Sequence, residues 1–218
     1  MSSTKSFGPE RFHRHAFVSF APSGSSSASD LETGGVLQDW LENGRSLIVR
    51  RPCLSPDGSQ VSVGLALPPS PHKRRLAFDL SRSDVRGVAL PPLWEDCAAR
   101  KIDAVVPIRA AAEAGGIGLR TFGSHAWQHL TGLRYVTEKS DIDLLLFVNS
   151  RQSWEIIRSK LEQTGPDFPP GIDLEIVLNE DASFSWREFS STPQRLLYKG
   201  NSRVWLGDKS DIDGILRG

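Results

Sequence analysis

Hydrophobic positions in this chain fall into short runs separated by proline and glycine, and the runs change character near residue 91. The first is Phe17-Val-Ser-Phe20, a strand-like tetrapeptide. Residues 22–35, rich in Ser and Gly, carry no periodicity and predict a flexible loop. A short helix is predicted from Val36 to Leu41, ended by Asn43-Gly44. Ser46–Arg50 and Gln60–Leu67 read as strands joined by a Pro56-Asp57-Gly58 turn, and Arg75–Leu80 reads as a third. Prolines at 68, 69, 71, 91 and 92 punctuate the chain between residues 68 and 92. The expectation is a small β-rich module over residues 1–90 and a second domain over 91–218.

In the second domain, strand and helix patterns alternate. Leu119–Phe122 predicts a short strand, and Ala126, Trp127, Leu130 and Leu133 share one helical face, so a helix runs to about Thr131 and ends at Gly132. Ser140-Asp-Ile-Asp143 opens a strand that continues through five apolar residues, Leu144–Val148, as in a strand buried on both faces. A helix is predicted from Ser153 to Leu161, succeeded by the strand Ile172–Leu178. Strand, crossover helix and strand make an α+β domain built on a mixed sheet.

Composition adds mainly exclusions. Among 218 residues, 26 Lys plus Arg balance 26 Asp plus Glu, so the basic excess of a nucleic-acid coat protein is absent. No apolar run is long enough to cross a membrane, and the N-terminal residues lack a secretory h-region. Two cysteines, Cys53 and Cys97, do not make a disulfide scaffold. The expectation is a cytoplasmic protein with neither membrane nor nucleic acid as partner.

Candidate chemistry concentrates between residues 118 and 178. Gly123 suits a sharp turn with close backbone approach, and Ser124 is a predicted N-cap, so the helix after it offers free N–H groups to a phosphate. Asp141 and Asp143 lie two residues apart and share a strand face; Asp173 and Glu175 do the same. Adjacent carboxylates repel and are costly to desolvate, and a hard divalent cation, Mg²⁺ or Mn²⁺, relieves both costs. Arg50 and Arg51, after an apolar strand, are candidate phosphate ligands. Lys73, Arg74 and Arg75 read as a solvated turn or as weaker candidates for the same phosphate role, and Trp127 reads as a core anchor. His125 and His129, at i and i+4, lack the Glu of a zinc-hydrolase motif. Lys139-Ser-Asp-Ile-Asp143 recurs as Lys209-Ser-Asp-Ile-Asp213, where Gly214 replaces the apolar strand; this copy reads as a solvated tail.

These features resemble a family. Gly123-Ser124, a helix, Asp141-Ile-Asp143 opening an apolar strand and a later strand acid resemble the nucleotidyltransferase fold of polymerase-beta relatives. The longer string Phe122–Leu133, then Ser140-Asp-Ile-Asp-Leu144 and Trp186-Arg187-Glu188, is similar to malonate decarboxylase holo-acyl-carrier-protein synthase, also called phosphoribosyl-dephospho-CoA transferase. Val49-Arg-Arg-Pro52 and Val63-Gly-Leu65 resemble that family's N-terminal domain.

The resemblance implies a metal-dependent transferase. Its donor would be 2′-(5″-triphosphoribosyl)-3′-dephospho-CoA, its acceptor a serine of the malonate decarboxylase acyl-carrier protein, and diphosphate would leave. Gly123 and Ser124 would hold the outer phosphates, and Asp141 and Asp143 the metals. Leu174 stands where the family pattern has glycine, and Asp173 and Glu175 both remain candidates for the third acid. Two other readings accompany this one: a nucleotidyltransferase using a plain nucleoside triphosphate, and a non-catalytic carrier-protein or CoA-binding module.

Overall fold

A computed structural model describes residues 12–22, 31–69, 74–97, 102–164, 168–179, 181–192 and 194–217. Eleven strands and seven α-helices are described, in an α+β arrangement of two sheets. The strands β1 (Phe17–Phe20), β2 (Leu47–Leu54), β3 (Gln60–Ala66), β4 (Arg75–Ser81) and β5 (Val85–Ala89) form sheet A, in the order β4-β3-β2-β1-β5. All its pairings are antiparallel. Helix α1 (Leu31–Glu42) packs on one face, where Leu37, Trp40 and Leu41 join Leu47, Val49, Val61, Val63, Phe78 and Leu80 in a buried core.

Sheet B holds β6 (Arg120–Thr121), β7 (Ile142–Val148), β8 (Ile172–Leu178), β9 (Ala182–Ser185), β10 (Arg195–Gly200) and β11 (Val204–Asp208), in the order β11-β10-β9-β8-β7-β6. Among the described strands of this sheet, only β7 and β8 run parallel, joined through helix α5 (Arg151–Gln163). Helices α2 (Trp94–Cys97), α3 (Val106–Ala114), α5, α6 (Trp186–Ser191) and α7 (Asp211–Arg217) contribute to the larger core. Leu144, Leu146, Val148, Leu174, Ile176 and Leu178 point into it. Residues of opposite parity, Leu145, Phe147 and Val177, form a smaller buried cluster on the other face with Leu90 and Phe122. The run Leu144–Val148 is thus buried on both faces, as its unbroken apolarity predicts.

Three local expectations are corrected. The segment read as loop over 22–35 lies outside the described residues at 23–30, but from Leu31 it is already α1, which starts five residues before Val36. Strand β5 has no counterpart among the predicted elements; its central Arg86-Gly87 weakens the alternation on which such a reading depends. The second Lys-Ser-Asp-Ile-Asp copy is not a solvated tail. It enters α7, with Ile212 and Leu216 buried, the Asp211 carboxylate accepting the Asp208 N–H at 2.9 Å and Asp213 3.6 Å from Arg151. Lys73 and Pro71 lie outside the described residues.

Two of the contacts between the halves of the chain bear on the site, beside bonds such as that from the Cys53 N–H to the Asn201 carbonyl at 3.1 Å. Helix α4 (Gly123–Thr131) sends Ala126 and Trp127 into the core of sheet A, where the indole meets Phe17 and Trp40 edge-on at 5.4 and 5.8 Å. Tyr135 stacks on Trp127 and donates its hydroxyl to the Ala66 carbonyl at 2.7 Å. Trp127 is therefore a core anchor, although its core is that of sheet A. The second contact is electrostatic. Arg14, just before β1, clasps Glu175 of β8 with Nη1–Oε1 at 2.7 Å and Nη2–Oε2 at 3.0 Å. Ser183 Oγ donates to Oε1 at 2.6 Å, Lys199 Nζ reaches Oε2 at 3.3 Å, and His15 Nε2 stands 3.2 Å from Oε1.

Burial alone would raise the Glu175 carboxyl. The His15 hydrogen bond and the Arg14 and Lys199 charges outweigh it and hold Glu175 well below the usual carboxylate range. For His13 and His15 the largest effect is burial, which holds both imidazoles below their ordinary value; His15 is accordingly neutral at pH 7 and donates from Nε2.

Removing the shared carboxylate strands Arg14 and Lys199 against a buried surface. Glu175→Ala is therefore expected to lose about 3 kcal/mol in urea unfolding, and Glu175→Gln less. The titration sign comes from the same groups. His13 and His15 accept protons more readily when unfolded, so their contribution is complete above about pH 7 and declines as pH falls through the unfolded value of 6.5. Glu175 adds a further loss below about pH 4.5, where the unfolded carboxylate protonates. Urea midpoints measured from about pH 8 down to about pH 3 should show the first decline and the onset of the second.

Candidate active site

The candidate site starts at the end of β6. Thr121 is fully buried, and its hydroxyl and the Phe122 N–H both bond to the Asp143 carbonyl, at 2.7 and 3.1 Å. These bonds tie the start of α4 to the second aspartate. Phe122, in extended conformation, is the N-cap of α4, and among the described residues no side chain caps the helix. This corrects the expectation for Ser124, which instead lies inside the first turn; the N–H groups at this end can serve a ligand. Gly132 ends α4 in left-handed conformation, as its sequence predicts.

Gly123 has φ +62, a region unfavourable to side chains. A Cβ placed there would stand 1.9 Å from Asp143 Oδ2. The lack of a side chain is what admits the Asp143 carboxylate against the backbone at the head of α4. Asp141 lies just before β7. The Ile142 N–H bonds to the Gly171 carbonyl at 2.7 Å, and Asp141 Oδ1 is 3.6 Å from the point a Cβ of Gly171 would occupy. On the neighbouring parallel strand, Asp173 stands in register with Asp143 and is exposed. Among the described residues, neither Asp141 nor Asp173 forms an ion pair, unlike Glu175.

Asp141 and Asp143 line a cleft of about 480 Å³ between the two sheets, together with Phe122, Gly123, Ser124 and His15. The opposite wall is sheet A, including Arg50, Arg74 and Arg75. Arg50 reaches Asp79 at 3.3 Å, and Arg74 reaches Glu32 at 3.2 Å. The cleft thus opposes two carboxylates with three guanidinium groups, and the start of α4 lies on the acidic side. This is a shape and charge distribution for a polyanion whose charge is partly neutralised at one end.

Of the predicted residues, Gly123, Ser124, Asp141, Asp143 and Arg50 meet in this cleft, and Asp173 lies beside it in register with Asp143. Two do not join them. Arg51, the next residue on an alternating strand, points away from Arg50, and its Nε donates to the Gly200 carbonyl at 2.8 Å. Glu175 is spent on Arg14, Lys199, Ser183 and His15. Arg74 and Arg75, the weaker phosphate candidates, line the cleft, and so does His15, which the sequence patterns do not mark. No motif could mark it, because its place depends on the Glu175 contact across 160 residues. Its φ of 77 is unusual for a non-glycine residue, and its ring packs 4.4 Å from that of Phe122. His125 leans on Trp94, at 5.2 Å between ring centroids, and His129 is exposed.

The donor atoms fit a hard divalent cation. Carboxylates are its preferred ligands, and the missing side chain at Gly123 leaves the Asp143 oxygen its place. Among the described residues, no three His, Cys, Asp or Glu side chains are gathered tightly enough to hold a metal ion by themselves. Mg²⁺ commonly takes one or two carboxylates and completes its shell with substrate phosphates and water.

Trp186-Arg187-Glu188 supports this region from behind. Trp186 is buried against Trp154 and Phe189, Arg187 Nη2 donates to the Ile172 carbonyl at 3.1 Å, next to Asp173, and Glu188 accepts the Leu197 N–H at 2.7 Å.

Comparison with known proteins reaches the same region from another direction. The family described as phosphoribosyl-dephospho-CoA transferase MdcG C-terminal domain matches residues 90–213, and the corresponding N-terminal domain matches residues 13–91. A phosphoribosyl-dephospho-CoA transferase from Xanthomonas euvesicatoria is 35% identical over 173 residues, covering 76% of this chain and 79% of its own. One from Bradyrhizobium diazoefficiens is 31% identical over 204 residues, covering 90% of each chain. No solved structure matches. The matched segments contain both walls of the cleft, the aspartate pair and the Arg14–Glu175 clasp, and the chain belongs to the phosphoribosyl-dephospho-CoA transferase family.

Proposed function

We propose that the cleft transfers the phosphoribosyl-dephospho-CoA group from 2′-(5″-triphosphoribosyl)-3′-dephospho-CoA to a serine hydroxyl of the malonate decarboxylase acyl-carrier protein, releasing diphosphate. The observation that carries this reading is the Asp141–Asp143 pair beside the start of α4, in a cleft whose far wall holds Arg50, Arg74 and Arg75. The reaction forms a bond between the serine oxygen and the donor's α-phosphorus and breaks the bond from that phosphorus to the bridging oxygen of the diphosphate. The serine proton passes to solvent or to a carboxylate.

In this reading the N–H groups at the start of α4, with Ser124, bind the outer phosphates and hold the leaving diphosphate in line with the acceptor. Asp141 and Asp143 would hold Mg²⁺ or Mn²⁺, with Asp173 at the edge of the same row. When bound, the cation supplies charge neutralisation for the phosphates and favours loss of the serine proton. Glu175 is a positioning residue: through Arg14 it fixes the segment that brings His15 to the cleft. The plain-nucleotide reading leaves the broad arginine-bearing wall without an occupant. A binding module without chemistry leaves the carboxylate pair without a purpose.

Asp141→Asn and Asp143→Asn should each lower transfer by at least a hundredfold, on the order of 3 kcal/mol in the barrier, while melting without metal holds or rises as repulsion is relieved. Asp211→Asn and Asp213→Asn alter the same letters in α7 and should leave diphosphate release within about twofold, since their roles lie in helix docking. Equal losses from both pairs would move the site elsewhere. Gly123→Ala should cost about 1 kcal/mol of stability from its backbone conformation alone. It should also reduce transfer strongly by displacing the Asp143 carboxylate, as monitored by diphosphate release at saturating Mg²⁺.

A further inference from the structure

The wall of sheet A that faces the cleft is unusual for its small residues. Ile48, Gly64 and Ala77 lie opposite one another across β2, β3 and β4, and Ala66 lies opposite Arg75 one pleat further on. All of them line the cleft. On the other side of the same strands, Val49, Val63 and Phe78 make the buried core. Packing inside the chain does not require the small residues on the open side. A Cβ at Gly64 would meet Ile48 Cγ2 at 3.6 Å, an ordinary contact, and Gly64 has no left-handed backbone to justify glycine. The missing side chain makes room in the cleft.

The flanks of this groove are cationic. Arg50 holds Asp79 through Nη2 at 3.3 Å, Asp79 is fixed by the Ser62 hydroxyl at 2.6 Å, and the buried Arg50 Nε has no hydrogen-bond partner among the described residues. Arg75 is exposed at the other flank and, among the described residues, forms no ion pair. Ile48, Leu67, Leu76 and Trp127 add apolar surface. Guanidinium groups around a shallow apolar floor suit a nucleotide-linked diphosphate carrying an uncharged arm.

We propose that this groove is a second subsite, which binds the dephospho-CoA portion of the donor: Arg50 and Arg75 contact its diphosphate, and the Gly64-Ala66-Ala77 floor takes its adenosine or pantetheine arm. The inference rests on the donor assigned above. It makes sheet A the element that distinguishes this donor from a plain nucleoside triphosphate, which has no second diphosphate to offer the arginines. The triphosphate end and the dephospho-CoA end then bind on opposite walls of one cleft.

The test is calorimetric binding of two fragments to the full chain: dephospho-CoA, and inorganic tripolyphosphate with Mg²⁺. Dephospho-CoA should bind wild type and weaken at least tenfold in Gly64→Leu, whose side chain fills the groove, and about tenfold in Arg75→Gln. Tripolyphosphate should bind Gly64→Leu as it binds wild type. Far-UV dichroism and melting establish that Gly64→Leu is folded; if it is not, Arg75→Gln, an exposed substitution, decides alone. Absence of dephospho-CoA binding to wild type, or equal binding to all folded variants, overturns the subsite. The underlying reaction is judged separately by transfer from the intact donor. Variant-sensitive dephospho-CoA binding without transfer supports the groove and contradicts the reaction, whereas transfer with variant-insensitive binding does the reverse.

Discussion

One buried carboxylate decides how the two halves of this chain face each other. Glu175 is 6% exposed, and without partners it would be expensive to hold as an anion. The Arg14 fork, Lys199, the Ser183 hydroxyl and the His15 ring satisfy it together. Arg14 and His15 come from the segment leading into sheet A, and the other partners lie on sheet B. The arrangement that neutralises one acid therefore also fixes the spacing of the cleft walls. Ridges of apolar side chains could hold the sheets together with less angular precision. A forked guanidinium on a carboxylate imposes distance and direction at once.

The acids at the head of β7 have the opposite character. Asp141 and Asp143 line the open cleft, and backbone contacts aim them: Thr121 and Phe122 on the Asp143 carbonyl, Gly171 on the Ile142 N–H. Four acids thus lie on or at the head of two neighbouring strands with the same i, i+2 spacing, and they divide by surroundings. Glu175 is buried, neutralised by the protein and structural. Asp141 and Asp143 face the cleft instead, with Asp173 exposed beside them.

That division is only partly legible in the sequence. The strands β7 and β8, their parallel crossover and the Gly123 turn are readable because their signals are local: a continuous apolar run, a two-residue period, a glycine where φ is positive. The choice between Asp173 and Glu175 is not readable, because the partners of Glu175 come from positions up to 161 residues away. Adjacency suggests that Arg50 and Arg51 act together, yet a strand sends neighbours to opposite faces. The repeated pentapeptide makes the same point. Ahead of Leu144–Val148 it enters a buried strand, and ahead of Gly214 and Ile215 it enters a helix whose first turn holds its two acids. Five identical letters do not specify a conformation when the residues after them compete for different cores.

In the proposed reaction the two walls act as one site on one long donor. It is tested most directly by the intact mass of the acyl-carrier protein after incubation with wild-type enzyme, Mg²⁺ and an equimolar mixture of the triphosphoribosyl donor and ATP. The expected result is a single added mass, that of phosphoribosyl-dephospho-CoA, on one serine. A carrier bearing the adenylyl mass instead, or an unmodified carrier alongside a donor consumed elsewhere, would contradict it.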